Sequence, residues 1–282
     1  MKNLFNRIFD SLHRIIYTNA SILDQQELWL NPKYGDEKHL NRFEYSMFSQ
    51  HGEDGIINEI FRRIGTTNKF FVEFGVGDGS ENNTAALLLS GWRGVWIEGY
   101  SKYYSMIINK FKELIKNNVL YVRHSFITAE NIEELIQLYN DVPTELDLLS
   151  IDIDGNDFWV WQSINIFKPR VVIVEYNPFF GPNVDWIMKY NPNHSWDHLT
   201  VYHGASLKSL QLLGEEKGYA LVCCDLSGTN AFFVRKDLLS DKFIKADSTD
   251  FLYQPSRLYL RKRFGHQKSF KVFGNFTSYN SI

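Results

Sequence analysis

Cysteine is scarce in this chain. The two present, Cys223 and Cys224, are too few for a disulfide framework or a structural zinc site of the Cys-rich kind. They are neighbours in a segment that reads as a strand, so their side chains should point to opposite faces. Long apolar runs are also missing: no stretch approaches the roughly 20 residues that cross a bilayer. The first residues lack the apolar core and small-residue cleavage site of a signal peptide. A reducing, cytoplasmic setting is therefore expected. Charge of one sign is lacking too. Thirty basic side chains face 33 acidic ones, a formal net of -3, so no global positive field exists to hold nucleic acid. Internal repeats and low-complexity stretches are absent. Aromatic residues, by contrast, make up 16% of the 282 positions, which argues against disorder, and the length is ample for a substantial core.

The pattern along the chain suggests three parts. Residues 1–47 read as an amphipathic helix and a polar connecting arm, 48–240 as the main domain, and 241–282 as a basic tail. In the first part Leu4, Phe5, Ile8, Phe9, Leu12, Ile15 and Ile16 fall at helical spacing with Lys2, Arg7 and Arg14 among them. That pattern suits a membrane-surface or partner helix; three basic residues are a weak lipid signal, so packing on its own domain or in a homodimer is favoured. A helix is expected over 53–64, with Gly65 as its stop. Strands over 69–74, 94–98, 119–123, 146–153 and 170–176 then alternate with helices over 82–90, 102–116, 129–139 and 158–166. Such alternation implies βαβ units and a parallel sheet. The apolar runs at 148–151 and 171–174 suit strands covered on both faces. A long aromatic loop, 177–200, precedes a helix over 206–217. Two last strands, 219–224 and 230–234, joined by Ser227-Gly228-Thr229, should pair antiparallel. The expected fold is α/β: a Rossmann-like, doubly wound, mostly parallel seven-stranded sheet with its last strand antiparallel and an N-terminal helical extension. The basic tail beyond Asp241 reads as a solvated face or oligomer contact rather than an anion patch.

The sharpest local feature is the run Phe70 to Ser80, in which a hydrophobic strand ends in a glycine-rich turn. Gly75 and Gly77 permit a tight turn and let a ligand lie against bare backbone. The dinucleotide fingerprint requires Gly-x-Gly-x-x-Gly, with a pyrophosphate on the helix N-terminus. Here the spacing is Gly-x-Gly-x-Gly, and Glu73 stands two residues before the first glycine. A carboxylate there disfavours a pyrophosphate and favours a cationic, amino-acid-like group. Glu98 ends the next strand, where an acid can accept from both hydroxyls of a ribose.

These residues resemble the class I S-adenosylmethionine-dependent methyltransferases. Four segments narrow the resemblance to the FkbM-type family: Tyr45-Ser46 with Ser49-Gln50 and Gly52 to Gly55, Val72 to Gly75, Ser150 to Asp157, and Val174 to Asn177. The resemblance covers residues 46–235. It implies transfer of a methyl group to a hydroxyl of a sugar or a related surface-polysaccharide or natural-product precursor. It also implies that Glu73, Gly75 and Gly77 hold the methionine part, Glu98 the ribose, and Ser125 and Phe126 the adenine, with Gln50 approaching from the preceding helix.

The fourth and fifth strands end in acids. Alternation puts Asp152 and Asp154 on one side, and Glu175 and Asn177 on one side, at the carboxyl edge where open α/β sheets bind ligands. Oxygen ligands of this kind suit Mg2+ or Mn2+, and the arrangement resembles metal-assisted O-methyltransferases, although Tyr176 here separates the acid from the amide. Alternatively, Asp152 borders the cofactor, Asp154-Gly155 makes a turn and Asn156 caps the following helix. His203, just before the helix at Ser206, is the candidate general base; His194, His198 and His51 have weaker claims. Phe179, Phe180, Trp186, Tyr190, Trp196 and Tyr202 could stack on a sugar or nucleotide, or form a lid. The expected activity is thus O-methyl transfer from S-adenosylmethionine to a sugar, a nucleotide-linked sugar or a surface-polysaccharide precursor, with His203 and Asp152 as catalytic groups. Two alternatives stand beside it. One is a metal-dependent glycosyltransferase using Asp152-Ile153-Asp154; the other is methylation of a phosphoramidate or phosphorylated precursor. A scaffold without catalysis is disfavoured by the joint presence of Glu73, the glycines and Glu98.

Overall fold

Short apolar segments that cannot bury both faces alone assemble into one sheet. The strands are β1 (Phe70–Phe74), β2 (Arg93–Glu98), β3 (Leu120–His124), β4 (Leu148–Ile151), β5 (Val171–Glu175), β6 (Tyr219–Cys224) and β7 (Asn230–Arg235). Their order is β3-β2-β1-β4-β5-β7-β6. All neighbours are parallel except β7, which runs antiparallel to both β5 and β6. The expected seven-stranded Rossmann-like sheet is therefore present. The computed structural model describes residues 26–139, 141–196, 202–245 and 249–257, with positions 11, 12, 15, 18, 19, 22 and 23. Most of the anticipated N-terminal helix, His198 and the tail beyond Arg257 lie outside the described residues.

Alternation along the strands feeds two cores. Phe70, Val72 and Phe74 face one side with Val172, Val174 and Phe233, under Leu135, Trp161 and Leu210. Phe71, Leu148, Ile173 and Phe232 face the other, under Ile56, Ile60, Leu88 and Ile107. Helices α1 (Glu53–Ile64), α2 (Ala85–Leu88) and α3 (Ser101–Lys110) cover the second face, with α4 (Lys112–Lys116) continuing beyond Phe111. Helices α5 (Ile132–Gln137), α6 (Asp157–Ser163), α7 (Leu207–Glu216) and α8 (Thr249–Leu252) belong to the first. Burying one such side chain stabilises the fold by roughly 1.5–3 kcal/mol. Cys224 joins the first core and Cys223 the second, as alternation required. A bulge between Leu221 and Cys223 resets the register and leaves Val222 and Cys223 on the same side.

The single helix expected over 102–116 is two helices. Phe111 breaks it: this residue is buried at 1% exposure and packs edge-on against Trp96 at 4.8 Å, so anchoring its ring takes precedence over helical continuity. At the amino end of the sheet, buried Asp147 accepts from the backbone N–H groups of Thr67, Asn68 and Lys69 and from Arg170 Nη1 at 2.6 Å. Arg170 also donates to the carbonyls of Ile64 and Gly65. This knot fixes where β1, β4 and β5 begin.

Segments flanking the expected main domain pack onto it. Leu28 and Tyr34 lie against Leu226, and Leu40 and Phe243 enter the second core. Tyr34 Oη accepts from Gln254 Nε2, and Tyr176 Oη donates to the Gln254 carbonyl. Arg257 donates to the Leu226 carbonyl and to Gln254 Oε1, so this tail cation has an internal role.

Candidate functional site

The chain leaves β1 toward β2 and β3, then crosses back to β4 on the other side of β1. This switch opens a crevice at the carboxyl ends of β1 and β4, where open α/β sheets take ligands. Gly75, at the end of β1, has a φ of +68°, and a Cβ there would lie 1.7 Å from the backbone oxygen of Asp152. Only glycine allows the two strand ends to approach so closely. A cleft of about 370 Å³ opens beside them. It is lined by the glycine turn, by Gln50, His51 and Glu53, by Glu73, Asn82 and Asn83, and by Tyr103, Asp152, Thr229 and Asn230.

The segment Ser49 to Gly55 reaches the cleft through a reciprocal cap. Asp54 accepts from the N–H groups of Met47, Phe48 and Ser49, and Ser49 Oγ accepts from the Asp54 N–H. Gly55 sits against the Phe43 carbonyl, which a Cβ would meet at 1.9 Å. Glu53 then accepts from the His51 N–H and from Asn230 Nδ2. Gln50 is exposed on the cleft rim, in the bend before α1 rather than on the helix expected to carry it.

Glu73 lies in the cleft, but its carboxylate is already occupied. Oε2 accepts from Asn82 Nδ2 at 2.6 Å and from the backbone N–H and hydroxyl of Thr84; Oε1 accepts from the Asn83 N–H and Ser150 Oγ. Burial raises its pKa while Thr84, Asn83 and Asn82 pull against that rise. The direct charge contact expected of Glu73 is thus replaced by a shell of protein donors, and Glu73 fixes the turn after the glycines. Glu98 closes the same turn from below: its oxygens accept from the N–H of Gly77 at 2.9 Å and of Tyr100 at 2.7 Å. Burial raises its pKa as well. With a third backbone donor in Gly99, part of the carboxylate's acceptor capacity remains for further donors. Phe126 is 63% exposed and meets Tyr100 edge-on at 5.4 Å. Ser125 precedes it at the tip of β3, and its N–H donates to the Glu98 carbonyl.

A second group sits at the ends of β4 and β5. Asp152, Asp154 and Glu175 bring carboxylate oxygens within 4.8 Å of one another. Burial of the carboxyl groups and mutual repulsion push Asp152 and Glu175 well above the ordinary carboxylate range. Asp157 is pushed up to about 6, burial outweighing the N–H groups of Ile153 and Gly155 that it accepts from. Glu175 Oε2 is buried without a partner.

Asn177 does not join this group. It is fully buried; its Nδ2 donates to the His203 carbonyl, and its Oδ1 accepts from the Phe179 N–H. Tyr176 between acid and amide turns the other way, to Gln254, as period-two alternation dictates. Asn156 makes no cap bond to α6; its Nδ2 goes to the Asn191 carbonyl, and Asp157 orders the turn instead. His203 is 5% exposed, with Nδ1 unpartnered and Trp196 at 4.4 Å. Burial lowers its pKa, opposed by Asp154. His194 lies over Gly155, with Nε2 unpartnered. In the aromatic loop Phe180 and Trp186 stack on each other at 4.2 Å, whereas Phe179 and Tyr202 are 63% and 50% exposed. Tyr190 bonds Glu130 and the Ala129 N–H.

Motif reading passed over Asn82 and Asn230, and quoted Glu53 and Asp157 only within longer segments, without a role. Asp157 stood within the acidic stretch and was legible there; Asn230 lies over a hundred residues from the glycine turn and carried no signal.

No protein-family model matches the chain, and no curated protein matches it. Solved structures similar to it include a precorrin-6y C5,15-methyltransferase from Geobacter metallireducens GS-15, 14% identical with a TM-score of 0.41, covering 68% of this chain and 93% of that one. An S-adenosylmethionine-dependent methyltransferase from Clostridium acetobutylicum ATCC 824 is 8% identical with a TM-score of 0.38, over 76% of this chain and 98% of that one. An O-methyltransferase from Bacillus cereus in complex with SAH is 18% identical with a TM-score of 0.33, over 54% of this chain and 65% of that one. Likenesses this distant do not bear on activity or substrate, which rest on the site itself.

Proposed function

We propose that the chain is an S-adenosylmethionine-dependent O-methyltransferase acting on a hydroxyl of a sugar, a nucleotide-linked sugar or a surface-polysaccharide precursor. The observation that carries this reading is the glycine turn clasped by Glu98 at the switch point between β1 and β4. A bare-backbone cradle at Gly75 and Gly77 fits the methionine part of such a donor, and the acid beside it, with spare acceptor capacity, fits the ribose. Bound there, S-adenosylmethionine supplies an electrophilic methyl group.

The chain's own residues then have separable tasks. Glu98 would hold the ribose, Ser125 and Phe126 the adenine, and Gln50 the rim beside the methionine part. The walls of the cleft would align donor and acceptor, which is the main source of acceleration in a direct displacement. His203 Nδ1, buried and without a partner, is suited to remove the hydroxyl proton: its lowered pKa keeps it neutral near pH 7, and Asp154 would stabilise the imidazolium it becomes. Asp152, Asp154 and Glu175 would hold a Mg2+ or Mn2+ ion, whose chemistry is to acidify and orient the hydroxyl. The unpartnered Glu175 Oε2 supports that role. Phe179 and Tyr202 are exposed faces on which a sugar ring could stack. The Asp-x-Asp alternative shares the acid cluster but leaves the glycine turn and Glu98 without a purpose.

Calorimetric titration with S-adenosylhomocysteine tests the donor. Micromolar binding is expected, weakened at least about tenfold, or 1.4 kcal/mol, by Glu98→Ala. No binding to the wild type, with binding of a nucleotide sugar and manganese instead, would establish the glycosyltransferase. Radiolabelled methyl transfer to a panel of free, nucleotide-linked and phosphorylated sugars tests the acceptor, and full activity after exhaustive EDTA treatment would eliminate the metal.

A further inference from the structure

Two amide–carboxylate pairs face the same cleft. Asn82 Nδ2 donates to Glu73 Oε2 at 2.6 Å, and Asn230 Nδ2 donates to Glu53 Oε1 at 2.9 Å. A carboxylate only accepts, so in each pair the amide is oriented unambiguously: its NH2 faces the acid, and its carbonyl is directed away from it. Both asparagines line the cleft, at 8% and 3% exposure. Both carbonyl oxygens are buried and without a hydrogen-bond partner. A buried acceptor left unmade is costly, and two of them on one cleft call for a ligand rich in donors. Glu73 and Glu53 add negative charge behind the amides and polarise them further toward a cation.

We propose that Asn82 and Asn230 form the seat of the α-ammonium group at the amino-acid end of the methyl donor, each held by the carboxylate behind it. The inference rests on the donor proposed above and assigns its cationic end. An ammonium group has three N–H donors and no acceptor, the complement of this wall. A phosphate or carboxylate has no donor to offer these two oxygens. The buried charge of Glu73 thereby acts on the ligand through the Asn82 amide rather than by contact, which explains why its carboxylate is saturated.

The test compares three ligands by calorimetry: S-adenosylhomocysteine, the same molecule lacking its α-amino group, and 5′-methylthioadenosine, which lacks the whole amino-acid arm. On the wild type, loss of the amino group should weaken binding at least tenfold. In Asn230→Ala and Asn82→Ala that penalty should shrink to threefold or less, while 5′-methylthioadenosine binds wild type and variants within threefold. A wild-type penalty below threefold would overturn the assignment, and this comparison needs no variant to fold. An undiminished penalty in both variants would overturn it too. If neither S-adenosylhomocysteine nor 5′-methylthioadenosine binds the wild type, the donor reading fails first, and this inference with it.

Discussion

The side-chain amide of Asn177 donates to the backbone carbonyl of His203 at 3.0 Å, while its own oxygen accepts from the Phe179 N–H. The end of β5 is thereby tied to the segment that presents the candidate base. Replacing Asn177 with Ala should cost about 1–3 kcal/mol through the buried backbone groups left unpaired, read by urea denaturation. It should also lower kcat at least tenfold while S-adenosylhomocysteine affinity stays within threefold. Unchanged turnover in a folded variant would confine Asn177 to a structural part.

The glycines of the turn differ in what excludes a side chain. At Gly75 a Cβ would meet the Asp152 oxygen at 1.7 Å, whereas at Gly77 nothing lies within 4 Å and only a φ of +56° opposes it. Gly77→Ala should cost about 1–2 kcal/mol for the left-handed backbone. Gly75→Ala should cost more than that and should also abolish binding of S-adenosylhomocysteine, because the strand ends must part. Equal losses of stability in the two variants would contradict this account.

The acid cluster sets a pH dependence. Burial and repulsion raise Asp152, Glu175 and Asp157 in the folded state, Asp157 to about 6. The unfolded chain releases these protons near pH 4, so between pH 4 and the raised values the folded state binds more protons. Stability then falls as pH rises, through about pH 6 for Asp157 and further for the other two. Asp152→Asn removes one such group. Its melting temperature should match the wild type near pH 4 and exceed it at pH 7.5, by about 2–4 °C per kcal/mol relieved. A variant less stable than wild type at both values would refute the repulsion.

At the other end of the sheet the charges are matched. Asp147 and Arg170 are both buried and linked at 2.6 Å. Arg170→Met leaves Asp147 buried without its cation and should destabilise the fold by about 3–5 kcal/mol, measured by denaturant midpoint at constant slope. The double variant Asp147→Asn with Arg170→Met should recover part of that loss.

Much of this architecture was legible because two periodicities rarely mislead. The runs at 148–151 and 171–174 could only be strands covered on both sides, and β6 was placed to the residue. Boundaries slipped where tertiary contacts decide: at Phe111, anchored on Trp96, and at β4, which is two residues shorter at each end than the expected 146–153. In the site, the position of Glu98 and the convergence of Asp152, Asp154 and Glu175 followed from strand ends alone. The occupation of Glu73 and the diversion of Asn177 did not, because both depend on donors and carbonyls supplied by other segments. Asn230 was hidden for a related reason: its neighbour Glu53 is 177 positions away, and only the folded sheet makes them a pair.

Gln254 joins three pieces of chain that no motif connects. Its side chain reaches Tyr34 in the arm before the domain, its carbonyl receives the Tyr176 hydroxyl at the end of β5, and its amide oxygen accepts from Arg257. Next to it Tyr253 donates to the Pro178 carbonyl, and Thr249 to that of Pro182. The residues after β7 therefore work as a keystone that ties the arm, the end of β5 and the start of the aromatic loop together. A chain cut after residue 248 would keep all seven strands and every acid of the site, yet the aromatic loop would lose the brace that gives the acceptor side its shape.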